Sequence, residues 1–247
     1  MSTGVRSARM TQKSSVARTP LQLATRQGIA VGVATAAYGV SFGALAVAAG
    51  LDVWQACVLS LVMFTGGSQF ALVGIVASGG AAAGATAIAS AVLLGVRNAA
   101  YGMRMKPVVR PTGWWRNAAA AWLTIDESTA VALAQHEPAA RRRGFWVTGL
   151  VVYIGWNVTT LIGALIGDLL GDTRAYGLDA AAAAAFLGLI WPRLRTHQTI
   201  AVACAAAVVA AALTPVVAPG VPVLAAAVVA AIVGTTNWLG RRTGAAT

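Results

Sequence analysis

Acid is scarce in this sequence. Seven Asp and Glu residues are spread over 247 positions, and charged residues of both signs make up 10% of the chain. Soluble domains carry about 25% charged residues, so a water-facing surface of ordinary composition is excluded. Cysteine is nearly absent as well. Cys57 and Cys204 each lie inside an apolar run, which reads as two small buried hydrophobes rather than a disulfide or redox pair. The lysines are Lys13 and Lys106, and no G-x-x-x-x-G-K-[ST] string occurs, which excludes a P-loop ATPase. His136 and His197 stand alone without an H-E-x-x-H helix, so no metal site is expected. No nucleophile elbow is read in the chain, and an intramembrane enzyme is left without a nucleophile–base pair. The expectation is a protein that is not an enzyme and needs no cofactor.

What is present points to an apolar solvent. Hydrophobic residues make up 58% of the chain, and the mean hydropathy is +0.73. The formal net charge of +11 invites a nucleic-acid reading, but the placement of the charge argues against it. Basic residues gather at 6–26, 104–116, 141–143, 193–195 and 241–242, each beside a hydrophobic stretch. That is how charge holds helix ends at the cytoplasmic face of a bilayer. The expectation is a multi-pass protein of the bacterial plasma (inner) membrane, with its N-terminus cytoplasmic.

A span needs about 20 mostly apolar residues. Candidate spans are 28–49, 54–77, 81–103, 118–135, 145–167, 178–191, 197–213 and 221–239. The fourth is weakened by its acids, and the sixth is short. This predicts an all-α, polytopic transmembrane helix bundle of seven to eight hydrophobic segments. Residues 1–26 read as a disordered basic cytoplasmic tail, 27–240 as a single transport domain, and 241–247 as a C-terminal tail. The segments are rich in Ala, Gly and Val, which lets helix backbones approach closely. Trp54, Trp114, Trp115, Trp146, Trp191 and Trp238 lie near segment ends, where an interfacial aromatic belt would sit. Eight full crossings place the 104–116 loop outside, against the charge rule. A broken or re-entrant helix near Gly66 or Asp126 removes that conflict. Gly50-Leu51-Asp52 and Gly177-Leu178-Asp179 open two segments in the same way, an echo that would suit a duplicated unit.

Polar residues inside apolar spans are expensive and mark partners or wet cavities. Gly66, Gly67, Ser68 and Gln69 interrupt the second segment. Glycine permits an unwound turn, and a broken helix exposes N–H groups that attract a carboxylate. Close packing with Gln69 bonded to a neighbouring helix is the plainer alternative. Arg97, with Asn98 and Tyr101 beside it, has the fork that binds a carboxylate, or it snorkels to the interface with Arg104 and Lys106. Asp126 and Glu127 sit mid-way in the fourth segment. Helical neighbours point about 100° apart, so one acid can pair with Arg97 while the other meets solvent or an amine. Burial would raise a carboxyl pKa towards values useful for proton coupling. Asn157 and its neighbouring threonines line a cavity or link helices. Asp168 and Asp172 read as solvated loop residues, and Asn237 as interfacial.

These pieces, in this order, resemble the AzlC family, the large subunit of bacterial branched-chain amino acid exporters. Tyr38-Gly39-Val40-Ser41-Phe42-Gly43 resembles the family's P-F-G-x-x-F-G-type stretch. Phe64-Thr65-Gly66-Gly67-Ser68-Gln69-Phe70 resembles F-A-G-x-x-Q-F, and Arg97-Asn98-Ala99-Ala100-Tyr101 resembles N-x-R-H-x-x-Y. Leu123-Thr124-Ile125-Asp126-Glu127 resembles L-x-x-D-E, and Gly177-Leu178-Asp179 resembles the opening of a later helix. The likeness runs from about Gly28 to Trp238. The chain departs from the pattern where Gly95 and Asn98 replace the family's Asn and His around the arginine, and near Tyr38, where the family's proline is missing. If that His carries protons or binds substrate, this chain does so differently or takes another substrate.

The resemblance implies a small AzlD-type membrane partner and export of Leu, Ile or Val, with Met as a further candidate. The residues themselves suggest a zwitterionic substrate with an apolar side chain. The Gly66–Gln69 break and Arg97 would hold its carboxylate, and Asp126 or Glu127 its ammonium or a proton. A non-transporting membrane scaffold and an exporter of another small solute remain as alternatives.

Overall fold

The computed structural model describes residues 19–171 and 194–236, together with 187, 188, 190 and 191. The sixth candidate segment lies almost wholly outside the described residues. So do Gly177-Leu178-Asp179, Asp172, Arg193, residues 1–18, and the end of the chain with Asn237, Trp238 and the basic pair at 241–242.

The architecture is an all-α membrane bundle. Its helices are α1 (Pro20–Ala48), α2 (Val53–Val62), α3 (Gly66–Gly79), α4 (Gly84–Val109), α5 (Trp114–Trp122), α6 (Asp126–Leu133), α7 (Pro138–Leu170), α8 (His197–Leu213) and α9 (Val221–Thr236). A short 3-10 turn, Gly80–Ala83, joins α3 to α4. No strand occurs among the described residues. Among the described residues, three stretches are long and apolar enough to cross a membrane: Pro20–Ala48, Gly66–Val109 and Pro138–Leu170. The middle one folds back at Gly80, where φ is +59°, and its limbs α3 and α4 pack on each other.

α1 starts earlier than expected. Thr19 caps the helix, its hydroxyl accepting from the Gln22 N–H while the Gln22 side chain accepts from the Thr19 N–H, and Pro20 takes the first helical position. Both are strong start signals, so residues 20–26 are helix and not tail. The stop is equally local. Gly50 at φ +94° lets its N–H reach the Val47 carbonyl (2.9 Å) and the Leu51 N–H reach that of Ala46 (3.1 Å), a Schellman closure. Asp52 and Gln55 then form the capping box of α2. Gly50-Leu51-Asp52 is thus a stop followed by a start.

α1 and α7 form the central pair and make the most extensive contact among the described residues. Hydrophobic burial does not drive helices together in lipid, so close van der Waals approach must. Gly28, Gly32, Ala36, Gly39 and Gly43 form one face of α1. A methyl group at Gly28 would sit 2.8 Å from Thr148 Oγ1, and one at Gly32 2.6 Å from Val151 Cγ1. On α7, Gly163 lies against the Val40 carbonyl in the same way. The Thr159 hydroxyl donates across the pair to the Ala36 carbonyl (2.6 Å).

The second and fourth predicted spans are each broken in two. Residues 63–65 separate α2 from α3, and residues 123–125 separate α5 from α6. The two half-helices that follow begin sixty positions apart, at Gly66 and Asp126, and carry Ser68 and Ser128 at the same place in their first turn. α8 and α9 pack mainly on each other, and α8 buries no residue among those described.

Candidate functional site

Both breaks open onto one cavity of about 740 Å³. The first break leaves two exposed helix ends. At the end of α2, the Gln69 side-chain amide donates to the carbonyls of Met63 (2.5 Å) and Ser60 (3.4 Å). The chain's own amide therefore supplies a donor to the end of α2, where the Met63 carbonyl also accepts from the Thr65 N–H (2.8 Å). At the start of α3 the first N–H groups have no intrahelical partner, and the Thr65 side chain does not cap them. Glycine there is a matter of space. A methyl group on Gly67 would lie 3.0 Å from Arg97 Nη2, and one on Gly66 3.1 Å from the Trp156 ring. A guanidinium and an indole therefore rest against the bare first turn of α3.

The second break is closed by hydroxyls. Ser128 Oγ accepts from the Ile125 N–H (3.1 Å) and donates to the Leu123 carbonyl (2.6 Å). Thr124 Oγ1 donates back to the Ala120 carbonyl (2.6 Å). Asp126 and Glu127 then occupy the first two positions of α6. They are therefore not two acids in the middle of a continuous helix, as the run of residues suggests. They sit at an N-terminus, where free N–H groups and the helix dipole favour carboxylates.

Arg97 of α4 joins the two breaks. Its Nη2 lies 2.9 Å from Asp126 Oδ2, and the two side chains keep 33% and 21% of their surface exposed. The pair is thus open to the cavity rather than sealed in the core, so a solute can reach both partners.

Of the residues singled out in the sequence, Gly66, Gly67, Arg97, Asn98, Asp126 and Glu127 line the cavity. Ser68, Gln69, Tyr101 and Asn157 do not. Ser68 and Gln69 are fully buried, and Ser68 Oγ accepts from the Thr65 hydroxyl (3.4 Å). The Asn157 amide donates to the Tyr153 carbonyl one turn back (2.7 Å). The α7 residue facing the cavity is its neighbour Trp156. Tyr38 of α1 and Phe64 and Phe70 beside the first break also line it, and none of these stands out in the sequence as a site residue. The signal is weak, because aromatic residues in an apolar span read as core. The far wall is apolar and includes Leu187, Ile190, Ala203, Cys204 and Ala207.

The arrangement can bind but offers little for covalent chemistry. No group of three or more His, Cys, Asp and Glu able to hold a metal occurs among the described residues. Contrary to the expectation that no elbow string occurs, Gly39-Val40-Ser41-Phe42-Gly43 does spell G-x-S-x-G. It lies inside α1, with both glycines turned to α7, whereas a nucleophile elbow needs a strand-to-helix turn.

Comparison with known protein families gave a match. The family described as AzlC protein matches residues 30–170, more than half of the chain. The matched stretch holds most of α1 and all of α2 to α7, and so both breaks and Arg97. No curated protein and no solved structure matched.

Proposed function

This chain belongs to the AzlC family, a family associated with branched-chain amino acid transport, and we propose that it is the large subunit of a secondary exporter of Leu, Ile and Val, with Met as a further candidate. One observation carries the reading: a bare helix N-terminus and an acid-bearing one face the same cavity, with Arg97 between them. A zwitterion has one charge for each. Its carboxylate would take the Arg97 guanidinium and the N–H groups of Gly66 and Gly67, and its ammonium would take Asp126, with Glu127 beside it. The Arg97–Asp126 pair gives up one internal contact and gains two external ones, so the charge stays balanced throughout. A lone amine or a lone carboxylate would leave one partner uncompensated, which is costly away from water. Phe64, Phe70, Leu187 and Ala207 suit an apolar side chain.

Export against a gradient needs coupling. Protonation of Asp126 or Glu127 would weaken the ammonium contact and favour release, so the proton gradient would drive the cycle. The family also implies a small AzlD-type partner, with which this chain would work in the bacterial inner membrane. No ATPase is needed by this scheme.

The test is efflux from cells loaded with Leu- and Met-containing dipeptides, with and without this chain and the adjacent small subunit. Faster release of branched-chain residues that collapses with a protonophore is expected. Asp126→Asn is expected to lower that release by about tenfold or more, the scale of one charge-assisted contact. Unchanged efflux in both Asp126→Asn and Glu127→Gln would exclude acid-based coupling. No effect on any apolar amino acid would shift the reading to another solute or to a scaffold subunit.

A further inference from the structure

We propose that the indole N–H of Trp156 is a donor to the substrate's carboxylate, and that the site therefore selects free α-amino acids over their amides and decarboxylated amines. The proposal rests on the transport reading above and adds to it a binding residue and a discrimination.

Trp156 is 4% exposed and lies mid-way along α7, bordering the cavity. Its ring is held on three sides. It stacks on Phe42 (6.1 Å, 27°), meets Phe70 edge-on (6.1 Å, 90°), and touches the first turn of α3 at Gly66. Packing of this kind explains the ring. It does not explain the nitrogen, because Nε1 is buried and has no hydrogen-bond partner among the described residues. Buried indole N–H groups usually find a partner. A phenylalanine would fill an apolar packing role without creating the unmet donor.

Trp156 is not alone in this. Three other cavity-lining residues carry a buried polar atom without a partner among the described residues: Arg97 Nε, Asn98 Oδ1 and Asp126 Oδ1. The four sort by chemistry into two donors and two acceptors. An α-amino acid presents a carboxylate with acceptor sites only and an ammonium with donors only. The carboxylate answers the indole and guanidinium N–H groups, and the ammonium answers Asp126 and Asn98. The amide of the same amino acid turns an NH₂ towards one of these donors, and the decarboxylated amine offers the indole nothing. A site built around a hydrogen-bonding group rejects analogues that lack it far more strongly than an apolar pocket rejects a missing methylene.

The experiment is calorimetric binding of leucine, leucinamide and 3-methylbutylamine to the purified protein with its small subunit. Wild type should bind leucine tightest. Trp156→Phe keeps the aromatic packing and removes the N–H. Its affinity for leucine should fall by roughly 10- to 100-fold, the scale of one hydrogen bond to a charged group, while leucinamide and the amine change less than twofold. A purely structural Trp156 would lower all three together or none, and either result overturns the proposal. If Trp156→Phe does not fold, benzothienylalanine at position 156 keeps the bicyclic shape without the donor and is held to the same outcomes. Failure of wild type to bind any apolar amino acid would overturn the transport reading and this proposal with it. Wild-type binding with unaltered selectivity in the variant overturns this proposal alone.

Discussion

The two helix breaks solve the same local problem with opposite electrostatic results. Each interrupts an apolar segment for three residues, and each starts a new helix towards the cavity. Before α3 the first positions are Gly66 and Gly67, and the helix end keeps its positive character. Before α6 they are Asp126 and Glu127, and the end is neutralised by its own carboxylates. The repairs differ too. Gln69 reaches back across the first break to the carbonyls of α2, while Ser128 closes the second within its own turn. One backbone device thus makes either an anion site or a cation site, and two side chains decide which.

The strongest way to break that contrast is to make the ends alike. Gly66→Asp places a carboxylate on the bare end, against the Trp156 ring and beside the route of the substrate carboxylate. Efflux is expected to fall to background, with the protein still found in the membrane; export at the wild-type rate would contradict the assignment of the α3 end to an anion. A smaller effect is expected from the repairs. Gln69→Ala removes the side-chain donor from the Ser60 and Met63 carbonyls, of which Met63 keeps the Thr65 N–H (2.8 Å), and should destabilise the protein by about 1–3 kcal/mol, read as a lower midpoint of thermal unfolding in detergent. Ser128→Ala removes the hydroxyl that bonds the Ile125 N–H and the Leu123 carbonyl and should cost about 1 kcal/mol by the same measurement. An unchanged midpoint in both variants would mean that the two breaks are not closed by the residues named.

Much of this is legible in the residues. Gly66-Gly67 in the middle of an apolar run announces the first break, and the scarcity of acid makes Asp126 conspicuous. Four of the five short strings that carry the likeness to a family fall inside the matched stretch, and Gly177-Leu178-Asp179 lies beyond it. Other features are not legible. Ser68, Gln69 and Asn157 look as suited to a binding site as Arg97 does, because each is a polar residue inside a span. Gln69 and Asn157 instead serve backbone carbonyls of nearby turns, and Ser68 the hydroxyl of Thr65 three positions before it. Trp156 and Tyr38 look like ordinary core. Sequence position tells which residues share a helix face, but not which neighbouring element covers that face.

The local events were determined by the sequence itself. Thr19, Gly50, Asp52 and Ser128 act on groups three to five positions away, a range that a single turn of chain closes whatever surrounds it. The apolar character of the segments likewise follows from composition, since a bilayer selects by side-chain transfer energy residue by residue. The site is different. Arg97, Asp126 and Trp156 lie on three helices, and only tertiary structure decided that they line one cavity. The reason is steric. The glycine faces of α1 and α7 set how closely the central pair approaches, and that distance determines where the broken helices can rest and what their exposed ends confront.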